Sequence, residues 1–281
     1  MSAEVHRLAA FTTDPAGGNP AGVVVTDTAL PDAAMQQIAA DVGYSETAFL
    51  VSAGDRRFDV RYFAPTSEVP FCGHATIASG VLLGKGSSGP GTYVFATASG
   101  DVTVDVSVDH RGAAIATLHS VEPSVRIPDR SLLTGVLGAF DLTDDDLDGT
   151  YPPAIAYAGA HHLILVLADR TRLARMAYDF DGARDLMDTH DLTTIALLWQ
   201  QDATTWDARN AFAIGGVVED PATGAAAAAF GAYLRDGGHV QAPTAIDIVQ
   251  GEDMGRRSEL HVTIPLLGGI AVSGHAVMLR I

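Results

Sequence analysis

Lysine is nearly absent from this chain: Lys85 stands alone beside sixteen arginines. Cysteine is as scarce, with Cys72 the single thiol in 281 residues. One thiol excludes an intramolecular disulfide, a cysteine-rich zinc site and any two-thiol catalytic pair. Positive charge as a whole is short: Lys and Arg number 17 against 34 Asp and Glu, a formal net charge of −17. A surface this acidic repels phosphate backbones, so no nucleic-acid partner is expected. Long apolar runs are also missing. The longest, such as 163–168, have strand length, and none reaches the 18 residues of a membrane span. The opening MSAEVHRLAAF has no basic region leading into an apolar one, so no secretory signal is expected and a cytoplasmic location is. No glycine-rich dinucleotide fingerprint, Walker motif or Gly-x-Ser-x-Gly elbow occurs.

What is present suits a folded protein with a large core: 47% hydrophobic residues and 18% charged. Short β-like runs dominate. Val102, Val104, Val106 and Val108 alternate with Thr103, Asp105, Ser107 and Asp109, and Phe58, Val60 and Tyr62 alternate with Asp59 and Arg61. Segments 5–11, 21–26, 113–118 and 163–167 are further strand candidates. Three segments carry helix signals. Residues 31–42 place Ala34, Met35, Ile38, Ala39 and Val42 on one face, with Pro31 at the start and Gly43 as the stop. Segments 76–83 and 225–235 are apolar nearly all round, which marks a helix buried on every side. Each follows a glycine-containing turn and lies between strand runs, so the chain reads as two similar halves. The fold class expected is α+β, with two pseudo-repeated domains meeting near Ser120-Val121-Glu122-Pro123.

Three constellations could carry chemistry. Glu46, in Ser45-Glu46-Thr47-Ala48-Phe49, puts a carboxylate at the head of an apolar run. That position suits a general acid or base, or an edge-of-strand surface glutamate. Phe71-Cys72-Gly73-His74-Ala75-Thr76 puts a glycine and a histidine where a buried helix begins. Gly73 would admit a ligand close to the backbone, and the helix N–H groups would favour an anion. Cys72 has no base beside it in sequence and reads as a small buried thiol, with a nucleophile as the alternative. Glu219-Asp220-Pro221-Ala222-Thr223-Gly224 repeats the theme, with N-capping by Asp or Thr as the alternative. The pair His161-His162 has no carboxylate or thiol at ligand spacing, so no metal site is expected there.

Taken together and in order, Gly18-Asn19-Pro20-Ala21-Gly22, Ser45-Glu46-Thr47-Ala48-Phe49, Pro70-Phe71-Cys72-Gly73-His74-Ala75-Thr76 and Glu219-Asp220-Pro221-Ala222-Thr223-Gly224 resemble the PhzF-like family of phenazine biosynthesis isomerases, within the diaminopimelate epimerase fold. Gln250-Gly251 and Val272-Ser273-Gly274-His275-Ala276 resemble the family's tail. The resemblance implies two domains, each a β-barrel-like sheet around a central helix, over 1–118 and 119–267, with 268–281 returning to the first. It places the active site in a cleft faced by both helix N-termini. It implies catalytic roles for Glu46, His74 and Asp220, and substrate contacts from Ser45, Gly73, Thr223, Gly224, Ala225 and Asn19. Ala225 stands where the family usually has serine, so one substrate contact differs, and residues 209–213 fit the family pattern loosely. The activity implied is cofactor-independent, metal-free isomerisation by proton transfer on a small carboxylate-bearing metabolite, in a homodimer. The alternatives are an amino-acid epimerase using Cys72 and Asp220, and a non-catalytic small-molecule-binding member.

Overall fold

The structure, a computed structural model, describes residues 4–280. The chain divides into two compact units: residues 1–119 with 273–281, and residues 120–272. The fold is of the α+β class.

In the first unit, β1 (His6–Ala10), β2 (Asn19–Thr26), β3 (Glu46–Gly54), β4 (Arg57–Phe63), β6 (Gly91–Thr97), β7 (Gly100–Val108), β8 (Ala114–His119) and β17 (Ala271–Met278) pair in that order. β17 pairs with β1 as well as with β8, so the eight strands close into a barrel. Closure removes the unpaired edges that an open sheet would expose. Two parallel pairings interrupt the antiparallel pattern, β2 with β3 and β4 with β6. Each parallel step needs a crossover. The helix α1 (Asp32–Val42) supplies the first and lies on the outside, burying Met35 and Ala39 with Val24, Phe49 and Phe63. The second crossover holds the two-residue strand β5 (Glu68–Val69) and α2 (Gly73–Lys85), which packs against β1, β2, β3, β7 and β8. Nine of its residues are buried, including His74, Thr76 and Ser79. A helix can run inside so narrow a ring only if its side chains are small. A Cβ on Gly80 would lie 2.8 Å from Val104 Cγ1 and 3.0 Å from Ala116 Cβ, and one on Gly84 would meet Val106 Cγ1.

The second unit repeats this connectivity. β9 (Ser124–Arg126), β10 (Ala154–Tyr157), β11 (His161–Val166), β12 (Thr194–Gln200), β13 (Thr205–Ala211), β15 (Thr244–Gln250) and β16 (Ser258–Ile264) pair in sequence. Counted from β10, the parallel steps again fall second and fourth, β11 with β12 and β13 with β15. The latter crossover holds the short strand β14 (Glu219–Asp220) and α6 (Gly224–Asp236). α6 is buried nearly throughout and packs against β9, β10, β11 and β16. Three helices that the sequence patterns did not single out, α3 (Arg130–Ala139), α4 (Arg170–Ala174) and α5 (Phe180–Thr189), cover the outside. Leu132, Val136, Ala183 and Met187 bury the outward residues Leu163, Leu165, Ile195 and Leu197 of β11 and β12. Among the described residues no helix is long and apolar enough to cross a membrane.

Polar side chains link three strands of this unit. Thr194 Oγ1 donates to Asn210 Oδ1 at 3.1 Å, so the 2.8 Å bond from His162 must be donated by its Nδ1–H. His162 Nε2 is then the unprotonated nitrogen, and it is buried without a hydrogen-bond partner. Burial pushes the His162 pKa down to about 3, helped by the neighbouring His161.

Two outcomes follow. Gly80→Val should destabilise the protein by about 2–3 kcal/mol through overpacking against Val104 and Ala116, read from urea denaturation. An unchanged midpoint would mean that the ring around α2 is looser than described. The second concerns pH. The folded pKa of His162 lies below its unfolded value of ~6.5, so its contribution is whole above that pH and lost as pH falls towards 3. Unfolding free energy should fall across that window by up to ~1.4 kcal/mol per pH unit from this residue. His162→Leu should show a correspondingly shallower slope; identical slopes for both proteins would refute the assignment.

Candidate active site

The first cluster forms where β3 begins and α2 begins. Glu46 is the first residue of β3, held opposite Ala21 of β2 by the parallel ladder. Its neighbour Thr47 crowds Gly22, where a Cβ would lie 2.6 Å from Thr47 Oγ1. Close passage of the two strands at this point therefore depends on glycine. Cys72, in extended conformation, is the N-cap of α2. Its carbonyl accepts from Thr76 Oγ1 at 2.7 Å and from the Thr76 N–H at 3.1 Å. The Thr76 hydroxyl is thereby committed, so Tyr62 is the donor in the 2.6 Å bond between the two hydroxyls. Tyr62 is fully buried, and burial raises its pKa well above that of a free phenol. This buried chain pins the turn that carries Cys72, Gly73 and His74.

The side chains converge. His74 Nε2 lies 3.4 Å from Glu46 Oε2 and 3.4 Å from Ser45 Oγ. Cys72 Sγ lies 3.6 Å from Glu46 Oε2 and 3.4 Å from His74 Nδ1. His74 and Cys72 are buried, while Glu46 keeps 15% of its side chain exposed. Among the described residues, and apart from its chain neighbours and its own helix backbone, a Cβ on Gly73 would come within 4 Å of one atom, Leu118 Cδ2, at 4.0 Å. No side-chain hydrogen bond from the N-cap satisfies the first turn of α2. The arrangement thus offers a carboxylate, an imidazole, a thiol and a hydroxyl beside the positive end of a buried helix. Such a group can accept, relay and return a proton, and can hold an anion.

Structure revises the reading of Cys72. It lacks a base beside it in sequence, yet two titratable groups lie against it in space. Its distance of 26 positions from Glu46 hides that contact in the sequence.

In the second unit, Asp220, Thr223, Gly224 and Ala225 gather at the start of α6. Thr223 Oγ1 donates to Asp220 Oδ2 at 2.6 Å, and the Thr223 side chain makes no N-cap bond to the helix. Capping in the usual sense is therefore not its role. Gln250, at the end of β15, supplies what the sequence patterns did not reveal. Its amide donates to the Asp220 carbonyl at 2.7 Å and to Thr223 Oγ1 at 3.1 Å, and its Oε1 accepts from the Thr223 N–H at 3.1 Å. Gln250 is 1% exposed, so these bonds replace all of its solvent contacts. The next residue, Gly251, has φ +75°, and a Cβ there would lie 2.7 Å from the Pro221 carbonyl. The glutamine thus reaches its partners because a left-handed glycine turns the chain behind it. Asp220 is seated from the other side by β14, where Asp220 pairs with Asn210 and Glu219 with Ala211. Glu219 and Arg209 are both buried and form a two-pronged ion pair, which explains why the 209–213 segment keeps its arginine. Ala225 is half-buried in the first turn of α6.

Asn19 is buried at the head of β2 opposite Ala10, two residues before Ala21, the ladder partner of Glu46. Just before it Gly18 has φ +68°, and a Cβ there would collide with Thr12 and the Ala10 carbonyl. The two histidines of 161–162 part company: His161 pairs with Asp191 on the surface, and His162 turns inward to Thr194.

Comparison with known proteins extends this picture. The family model described as phenazine biosynthesis-like protein matches residues 8–280. A relative from Salmonella typhimurium, named as the uncharacterized isomerase YddE, is 31% identical over 99% of this chain and 97% of its own. The trans-2,3-dihydro-3-hydroxyanthranilate isomerase of Pseudomonas fluorescens is 28% identical, covering 89% of this chain and 86% of that protein. The crystal structure of a PhzF-family phenazine biosynthesis protein from Bacillus anthracis superposes with a TM-score of 0.87 at 24% identity, over 100% of this chain and 98% of that one. That likeness establishes the fold. The chain therefore belongs to the phenazine biosynthesis-like family and is an isomerase.

Proposed function

We propose that this isomerase acts without a cofactor, moving a proton between two positions of a small carboxylate-bearing metabolite. The observation that carries the reading is the convergence of Glu46, His74 and Ser45 at the start of α2. Glu46, as carboxylate, takes a proton from a carbon next to an electron-withdrawing group. The electron pair left behind spreads into the conjugated system, and a proton is returned at a second carbon by Glu46 or His74. Nothing is oxidised, and the product is an isomer of the substrate. The first-turn N–H groups of α2 attract the substrate carboxylate and stabilise the negative charge that develops. Gly73 leaves the backbone accessible for that approach. Ser45, beside His74, orients the imidazole or contacts the substrate. Asp220 is assigned the acid or base role on the second unit, with Thr223, Gly224 and Ala225 as binding positions and Asn19 as a further one.

The substrate of the Pseudomonas fluorescens relative, a cyclic hydroxylated amino acid, is the first compound to test. Ala225 removes a hydroxyl from the binding surface, which favours a substrate with one polar group fewer.

A second reading has its own support. The Cys72 thiol lies 3.6 Å from Glu46, so an epimerase using Cys72 with Asp220 would also find its thiol beside a base. Cys72→Ser separates the two: an isomerase working through Glu46 keeps most of its turnover, whereas a thiol-dependent epimerase loses it.

Glu46→Gln should lower kcat by about 10²–10⁴-fold and abolish deuterium incorporation from heavy water, followed by NMR. Full turnover with deuterium still entering the product would end this assignment. Gln250→Leu should destabilise the second unit by about 2 kcal/mol, since the Asp220 carbonyl and the Thr223 N–H lose their partner. If Asp220 takes part in the reaction, the same variant lowers kcat more than it raises KM. Asp220→Asn with unaltered kcat at saturating substrate would remove Asp220 from the mechanism.

A further inference from the structure

We infer that Glu46, Cys72 and His74 form a binding site for a soft divalent cation of zinc's kind, and that such an ion silences the enzyme by occupying its proton-transfer groups. Among the described residues these make up the one group of three possible metal ligands drawn together, with all donor atoms within 4.8 Å of one another. Their separations are specific. Sγ to Oε2 is 3.6 Å, Sγ to Nε2 is 3.8 Å, and Nε2 to Oε2 is 3.4 Å. A tetrahedral ion with a metal–sulfur bond of ~2.3 Å and metal–nitrogen and metal–oxygen bonds of ~2.0–2.1 Å requires ligand-to-ligand edges of about 3.3–3.6 Å. The three edges stand within a few tenths of an ångström of that triangle; because Sγ lies nearer His74 Nδ1, at 3.4 Å, than Nε2, the imidazole must turn about its side-chain bonds for the Nε2 lone pair to face the same ion.

The donor set also suits the ion. A thiolate, a neutral imidazole and a carboxylate carry two negative charges, which a divalent cation neutralises. Soft sulfur selects zinc or cobalt over magnesium or calcium. A helix N-terminus stabilises the thiolate that the metal needs. Binding exchanges the Cys72 S–H for a sulfur–metal bond and releases that proton to solvent. The partly exposed Glu46 leaves a route in, and three protein ligands leave a fourth position to water.

Other places in the molecule lack one or more of these features. The matching end of α6 offers Asp220, Thr223 and Gln250, which are oxygen and amide groups only. His119 with Asp105, His161 with Asp191, and His261 with Asp247 are two-ligand pairs on the surface.

The site rests on geometry alone, whereas the loss of activity rests on the role proposed for Glu46. Cobalt titration of tag-free protein tests the site. Because the chain has a single cysteine, any thiolate-to-cobalt charge-transfer band must come from Cys72. The wild type should develop that band at one cobalt per chain, and zinc should bleach it. Cys72→Ser should abolish the band, and Glu46→Gln and His74→Ala should each weaken binding more than about tenfold. No band in the wild type overturns the site, as does a band whose affinity neither variant changes. If a variant fails to fold, zinc protection of Cys72 from iodoacetamide in the wild type replaces it; alkylation at an unchanged rate overturns the site equally. A stoichiometric band with turnover unaffected by zinc upholds the site and counts against Glu46 as the proton-transfer group.

Discussion

A helix that must be buried on every face sets most of this structure. α2 runs inside a closed ring of eight strands, so its side chains are limited to what the ring can hold. Gly80 and Gly84 meet the valines of β7 at distances that leave no room for a methyl group. Small residues give such a helix little area with which to drive folding by itself; its stability comes from the strands wrapped around it. In return the helix axis is fixed, and its N-terminus is delivered to one end of the ring. The hydrogen-bonded chain from Tyr62 through Thr76 to the Cys72 carbonyl fixes where the first turn begins. A reactive group placed on that turn is held to the rigidity of the core rather than that of a loop.

The second unit applies the same frame to different chemistry. The order of parallel and antiparallel steps is repeated, and α6 enters at the matching place. The N-terminal turns have diverged. At α2 the groups are a thiol, an imidazole and a carboxylate in mutual contact. At α6 a carboxylate is tied to a threonine hydroxyl, and a buried glutamine holds both segments. The first arrangement leaves titratable atoms facing one another, ready to exchange protons. The second spends its hydrogen bonds on geometry, which suits a single carboxylate kept in one orientation.

Much of this was legible in the sequence, for identifiable reasons. The valine alternation of 102–108 set the faces of β7, and Val104 and Val106 are buried, although Val108 near the strand's end is exposed. The two all-apolar segments announced the central helices, and the structure extends them to 73–85 and 224–236. Their starts were hidden because glycine is a poor helix former, so propensity pointed to a turn where the strands enforce a helix. α5 has an Asp179 N-cap and the helical spacing of Ala183 and Met187, but its polar composition masks that pattern. Of the candidate site, the motifs point to Glu46 and His74, while the Cys72–Glu46 contact and the Gln250 latch leave no trace in them. Both join residues 26 or 27 positions apart, and no local pattern encodes a partner at that distance.

The acidity of the chain bears on these sites differently from how it bears on the surface. A net charge of −17 opposes an anionic metabolite at long range. At physiological ionic strength exposed charges are screened beyond about 8 Å, so the global field acts weakly on a ligand already at the first turn of α2. There the helix terminus contributes the equivalent of roughly half a positive charge, at contact distance and backed by an apolar barrel. Local potential therefore decides binding, and the acidic exterior mainly slows encounter. A small acid that reaches the turn meets favourable N–H groups together with the Glu46 carboxylate. On the proposed function, the acid's carboxylate occupies the helix end while its reacting carbon faces Glu46, because the reverse pose would set two carboxylates against each other. On that reading, the charge pattern of one helical turn sets the orientation of the substrate.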